Sequence, residues 1–160
     1  MRLEGTTLER DRPIPQFHLF DPRTGRELSP WSLKGRRGLL LAFLHAGCTE
    51  CAAVADELAG VAEQLSAADV DLFAVASARV DPLPTLVDHA GEVASAYLGT
   101  KGHLPTVVLA DRYGAAWSAY LGSGHELPTA GELVATAWHM ELSCADCAAP
   151  AWPADETEGP

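Results

Sequence analysis

Four of the 160 residues are cysteine, and they form two pairs of identical spacing, Cys48-Thr49-Glu50-Cys51 and Cys144-Ala145-Asp146-Cys147. The thiolate is the form of cysteine that attacks disulfides and binds metals. Thiols three positions apart share a helix face, so either pair suits disulfide exchange or metal binding. Where thiols stay reduced, such pairs are redox-active or metal-binding rather than a static disulfide framework. The polar start, Met1 to Arg10, lacks the apolar stretch of a signal peptide, so a cytoplasmic location is expected. The longest apolar run, Gly38 to Ala46, is far shorter than the ~20 residues that cross a bilayer, and no membrane partner is expected.

The hydrophobic pattern supplies the elements that position the first pair. Leu39 to Leu44 is a continuous apolar run, too short for a helix and suited to a strand buried on both faces. From Thr49 onward Val54, Leu58, Val61 and Leu65 recur at helical spacing, while Asp56, Glu57, Glu63 and Gln64 fall on other faces. Val70 to Ser77 predicts a second buried strand, and Asp81 to Gly99 a second helix with Leu86, Val87, Val93 and Tyr97 inward. Pro105-Thr106 leads into a third strand, Val107 to Ala110. Asp111 to Gly114 then reads as a hairpin turn into Ala115 to Leu121. Thr129 and Glu132 match a capping box that opens a helix to about Leu142. Alternating strands and helices give an α/β layered fold in one domain. That domain spans residues 13–147, after a flexible N-terminal segment, 1–12, and before an acidic, Pro-rich tail, 148–160.

In this layout Cys48 opens a helix, where free backbone N–H groups and the helix dipole favour a negative charge and lower a thiol pKa. Glu50 opposes that effect, so the expected couple is moderately activated and reducing. Cys51, one turn on, is placed to resolve a mixed disulfide. Cys144 and Cys147 follow the last helix, beside Glu141 and Asp146, where negative charge raises thiol pKa values. The first pair suits attack and the second suits being attacked, so the second reads as an auxiliary redox pair, within one chain or across a dimer.

The net charge is -11, which argues against nucleic acid as a partner. Residues 1–40 hold eight basic and five acidic residues, whereas 41–160 hold three basic and seventeen acidic. A solvated acidic face accounts for this imbalance, and so does a face that prefers a basic or neutral partner.

Several segments, in order, resemble the thioredoxin superfamily, in particular its redoxin and peroxiredoxin-like branch. They are Pro13 to Leu19, the Asp21-Pro22-Arg23-Thr24-Gly25 turn, Leu33-Lys34-Gly35, Phe43 to Cys51, Gly102-His103-Leu104-Pro105-Thr106 and the Asp111 to Gly114 hairpin. The resemblance implies a thioredoxin-like fold, a central mixed β-sheet with helices on both faces. It also implies a thiol–disulfide oxidoreductase in which Cys48 attacks, Cys51 resolves and a cis Leu104–Pro105 bond shapes the substrate groove. No cofactor is needed, because sulfur carries both electrons. The implied partners are a protein disulfide, or a small disulfide or peroxide, and a dithiol reductant, with the chain a monomer or homodimer.

The chain departs from the family at four positions. Gly47 stands where thioredoxins carry tryptophan, and Ala42 where they carry a buried acid that moves the resolving proton. His45, of a residue type that changes charge near neutrality, is a candidate shuttle in its place. Peroxiredoxins have a threonine and a proline where this chain has His45 and Leu41, and only Arg79 and Arg112 offer the arginine that polarises peroxide. A peroxidase with Cys48 as its peroxidatic cysteine is therefore the second reading. A non-enzymatic module with a structural zinc site is the third, although 92 residues separate Cys51 from Cys144, against ~15–20 in compact zinc motifs.

Overall fold

The computed structural model describes residues 1–33, 35–99, 104–122 and 127–143. Its centre is β3 (Gly38–Phe43), the apolar run identified above, with all six residues buried. A strand with no polar face must be covered on both sides. Leu40, Ala42 and Leu44 point into one core with Cys51, Ala55, Leu58, Leu65 and Met140. Leu39, Leu41 and Phe43 point into the other with Phe17, Phe73, Tyr97 and Leu98. Burying each such Leu or Phe stabilises the fold by roughly 1.5–3 kcal/mol, an upper range set by an extended-chain reference.

The five-stranded sheet has the order β5-β4-β3-β6-β7, with β4 at Val70–Ala76, β5 at Thr85–Val87, β6 at Thr106–Ala110 and β7 at Ala116–Leu121. β3 pairs parallel with β4 and β4 with β5, while β6 runs antiparallel to both β3 and β7. Before it come the β1 (Leu19–Asp21) and β2 (Arg26–Leu28) hairpin and a single helical turn, α1 (Pro30–Leu33). α2 (Thr49–Ala59), α3 (Ala62–Ala67) and α5 (Ala130–Leu142) cover one face, and α4 (Glu92–Leu98) the other. The sheet is mixed and covered by helices on both faces, as expected. Gly38 marks the end of β3 remote from Cys48. A Cβ there would lie 2.8 Å from the Ala110 carbonyl oxygen and 3.2 Å from the Met140 methyl, so a side chain would not fit without movement.

Several details differ from the sequence reading. Residues 81–91 are not helical: Leu86 and Val87 belong to β5, and only α4 remains of the helix expected over 81–99. Pro82 and Pro84 lack the N–H groups a helix needs, and the Asp81–Pro82 bond is cis. The helix after Cys48 divides at Gly60-Val61, although Leu58 and Leu65 still enter the same core. Residues 1–12, which composition suggests are flexible, lie against the sheet. Leu8 is buried, Thr7 N–H donates to the Tyr97 carbonyl (2.8 Å), and Asp11 N–H to the Ala116 carbonyl (2.9 Å). The apolar Leu3 and Leu8 give this polar stretch its contacts with the second core. The capping box is present as read, with Thr129 Oγ1 accepting from Glu132 N–H and Glu132 Oε1 from Thr129 N–H. Among the described residues no helix is long and apolar enough to cross a membrane. The tail from residue 148 lies outside the described residues.

Tyr97 ties the N-terminal approach to the sheet. Its ring lies 5.4 Å from Phe43 and 6.1 Å from Phe17, and its hydroxyl donates to the Pro15 carbonyl at 2.6 Å. Burial pushes the Tyr97 phenol well above its usual pKa, so it stays a neutral donor. Tyr97→Phe leaves that carbonyl without its donor and should lower unfolding free energy by about 1–3 kcal/mol. Denaturant titration should show a lower midpoint at unchanged slope. An unchanged midpoint would mean that the hydroxyl contributes nothing.

Candidate active site

β3 ends at Phe43, and five residues later the chain turns into α2 with Cys48 as its N-cap. The intervening Gly47 has φ +77°, a left-handed conformation that costs glycine little and a side-chain-bearing residue more. Cys48 itself is extended (φ −94°, ψ 129°), and its sulfur takes the place of the oxygen in an ordinary N-cap, accepting from Cys51 N–H at 3.5 Å. Cys51 Sγ in turn accepts from His45 N–H at 3.2 Å, and the His45 ring Nδ1 lies 4.0 Å from it. Each sulfur therefore receives a backbone N–H from the segment that holds the other.

The two thiols are unequal. Cys48 is half-buried, whereas Cys51 has no exposed surface and belongs to the core of α2. The Cys51 N–H directed at Cys48 holds that thiol below its ordinary pKa, helped by the Cys51 thiol and Glu50 N–H. Partial burial and the Glu50 charge oppose the shift. Burial raises Cys51 to about 11 despite the His45 N–H, and the neighbouring Cys48 and Glu50 charges add to the rise. The expected direction for Cys48 is present, as is the opposing effect of Glu50. Both cysteines are free thiols here. His45, Cys48 and Cys51 present donor atoms within 4.8 Å of one another, the one such group of three among the described residues, and these are ligand types that zinc takes.

The Leu104–Pro105 bond is cis, and Pro105 is buried. Phe43 pairs with Thr106 across the sheet, so Pro105 and Leu104 continue β6 beside the segment leading to His45. A cavity of about 190 Å³ opens there, walled by Leu44, His45, Ala76, Asp88, Ala94 and Leu104. Asp88 had no role in the sequence reading, which placed it in a helix. No spacing motif marks it, because it meets the site only through the turn between β5 and α4.

Ala42, at the position where thioredoxins carry an acid, is buried in the first core, and His45 is the titratable side chain beside Cys51. Neither arginine considered for peroxide chemistry is engaged at Cys48. Arg79 Nε donates to Asp81 at 2.7 Å, and Arg112 meets Glu141 at 3.5 Å at the opposite end of the sheet. Cys144 and Cys147, with His103 and Trp152, lie outside the described residues.

No family model matches the chain, and no curated protein does. Solved structures do. A candidate protein disulfide isomerase from Bacteroides thetaiotaomicron matches with TM-score 0.70 and 17% identity, covering 92% of this chain and 98% of that one. A thiol:disulfide interchange protein of the thioredoxin family from Chlorobium tepidum matches at 0.65 and 16%, over 83% of this chain and 98% of that one. Peroxidoxin BcpB from Mycobacterium tuberculosis matches at 0.63 and 16%, over 84% and 96%. These identities speak to architecture alone, and together with the mixed sheet and the Cys48–Cys51 pair at its strand–helix junction they establish that the chain has a thioredoxin-like fold.

Proposed function

We propose that this protein is a thiol–disulfide oxidoreductase that reduces disulfides with the Cys48–Cys51 pair. The observation that carries the reading is the inequality of two adjacent thiols, one accessible with its pKa lowered, the other buried with its pKa raised. The Cys48 thiolate attacks a substrate disulfide, forming a mixed disulfide and releasing one substrate thiolate. Cys51 then loses its proton to His45 and attacks Cys48 Sγ. The Cys48–Cys51 disulfide forms and the second substrate thiolate leaves. A dithiol reductant returns the two electrons. The buried Pro105 borders the groove in which the substrate lies against Cys48.

The Cys144–Cys147 pair fits this scheme as an electron relay, within one chain or between two. Replacing Cys144 and Cys147 by Ser should slow re-reduction of Cys48–Cys51 by a physiological dithiol while leaving reduction by excess small-molecule dithiol intact. Equal rates with both reductants would remove the relay.

Two further outcomes test the core mechanism. Iodoacetamide should label Cys48 with a pH midpoint below that of a free cysteine, because its folded pKa is lowered. Cys51 should react only toward its raised value of about 11. Cys51→Ser should trap a mixed disulfide at Cys48, and Cys48→Ser should abolish turnover; survival of turnover in Cys48→Ser would sink the proposal. His45→Ala should lower kcat near neutral pH by about tenfold to a hundredfold, at the low end of general-base effects. Activity should recover as pH rises toward the Cys51 value. A uniform loss at all pH values would instead mean that His45 only positions the loop.

A further inference from the structure

We infer that the cavity beside the dithiol is a specificity pocket for a cationic group flanking the substrate disulfide, with the Asp88 carboxylate as its recognition element. The inference rests on the oxidoreductase reading and adds the substrate class. The cavity lies at the carboxyl ends of β3 and β4, where β3 passes from a parallel neighbour to an antiparallel one. Crevices at such switch points are where layered α/β sheets bind ligands. Its walls are mostly apolar and its rim carries His45, whose ring is 4.0 Å from Cys51. A group lodged there therefore belongs to a molecule whose sulfur can reach Cys48.

Asp88 is the one acidic residue in the wall, and its exposure is only 6%. One carboxylate oxygen, Oδ2, accepts from Ala94 N–H at 3.0 Å. Oδ1 makes no hydrogen bond within the described residues. A largely buried carboxylate whose unused oxygen still meets solvent gains most from a donor that brings positive charge. The surroundings add to this preference. Exposed Glu50 stands between the two cysteines, while Arg23, Arg37 and Arg112 are engaged with Asp71, Asp69 and Glu141 toward the other end of the sheet. An approaching anionic disulfide is repelled and a cationic one is drawn in.

Three disulfides of nearly equal length separate charge from shape: cystamine, hydroxyethyl disulfide and 3,3′-dithiodipropionate, which are cationic, neutral and anionic. In each case the Cys48 thiolate displaces one thiolate, Cys51 displaces the second, and dithiothreitol restores the dithiol. At ionic strength near ~10 mM, kcat/KM should fall in that order, with cystamine at least about tenfold above dithiodipropionate. The ratio should shrink as salt approaches ~0.5 M. Asp88→Asn keeps an acceptor for Ala94 N–H and removes the charge, so it should cut the ratio severalfold. Ser77→Lys, on the exposed pocket wall, should do the same without touching the buried carboxylate. Turnover of all three disulfides within about twofold, or a ratio that neither variant changes, overturns the pocket assignment and leaves the oxidoreductase reading standing. Turnover of none of them overturns that reading, and this inference with it.

Discussion

The pairing of each sulfur with a backbone N–H is the interaction on which the site depends. Cys51 N–H points at Cys48, and His45 N–H points at Cys51. Both donors are fixed by secondary structure, one in the first turn of α2 and the other just past the end of β3. They are already oriented toward a thiolate and need no rearrangement when charge forms. The rest of the fold maintains this junction. The apolar β3 is held between two cores, so its exit toward His45 is rigid. Gly47 supplies the one left-handed turn that lets Cys48 begin a helix where the strand has just ended.

Rigidity alone would give two similar thiols. Their difference comes from depth. Cys51 lies on the α2 face that packs with Leu58 and Ala55 against the sheet, whereas Cys48 occupies the cap, where the helix meets solvent. Burial opposes ionisation at one position, and hydrogen bonds promote it at the other. Such separation of roles within four residues suits a two-step exchange, because attack needs an ionised sulfur and resolution needs one that waits. With alanine at position 42, the His45 ring, 4.0 Å from Cys51 Sγ, is the titratable side chain beside the buried thiol.

Charge is arranged around the same axis. Salt bridges between Arg37 and Asp71 and between Arg112 and Glu141 gather cations toward the pole remote from the dithiol. On the dithiol side Glu50 is exposed between the cysteines and Asp88 lines the cavity. Both salt bridges are partly buried, and by holding these cations there they also set the field at the other end. Asp88 contributes in two ways, since one oxygen binds the α4 backbone and the other is left for a ligand.

Much of this was legible in the chain itself. The Leu39 to Leu44 run, the CxxC after it, the Thr129–Glu132 capping box and the proline before β6 are local signals whose physics acts over a few residues, and each led to the observed element or junction. Apolar spacing over residues 81–91 suggests a helix, but Pro82 and Pro84 remove the donors a helix needs. The packing of residues 1–12 is not legible in the chain, because a polar composition conceals two leucines that find contacts only in the folded molecule. The sequence by itself determined which residues could carry the chemistry and the helix end that activates one of them, because strand, turn and cap are set by near neighbours. Only the tertiary structure decided that Cys51 is buried, that His45 approaches it and that Asp88 enters the wall of the cavity. Burial and cross-element distance depend on how separate elements stack, and no local spacing records that.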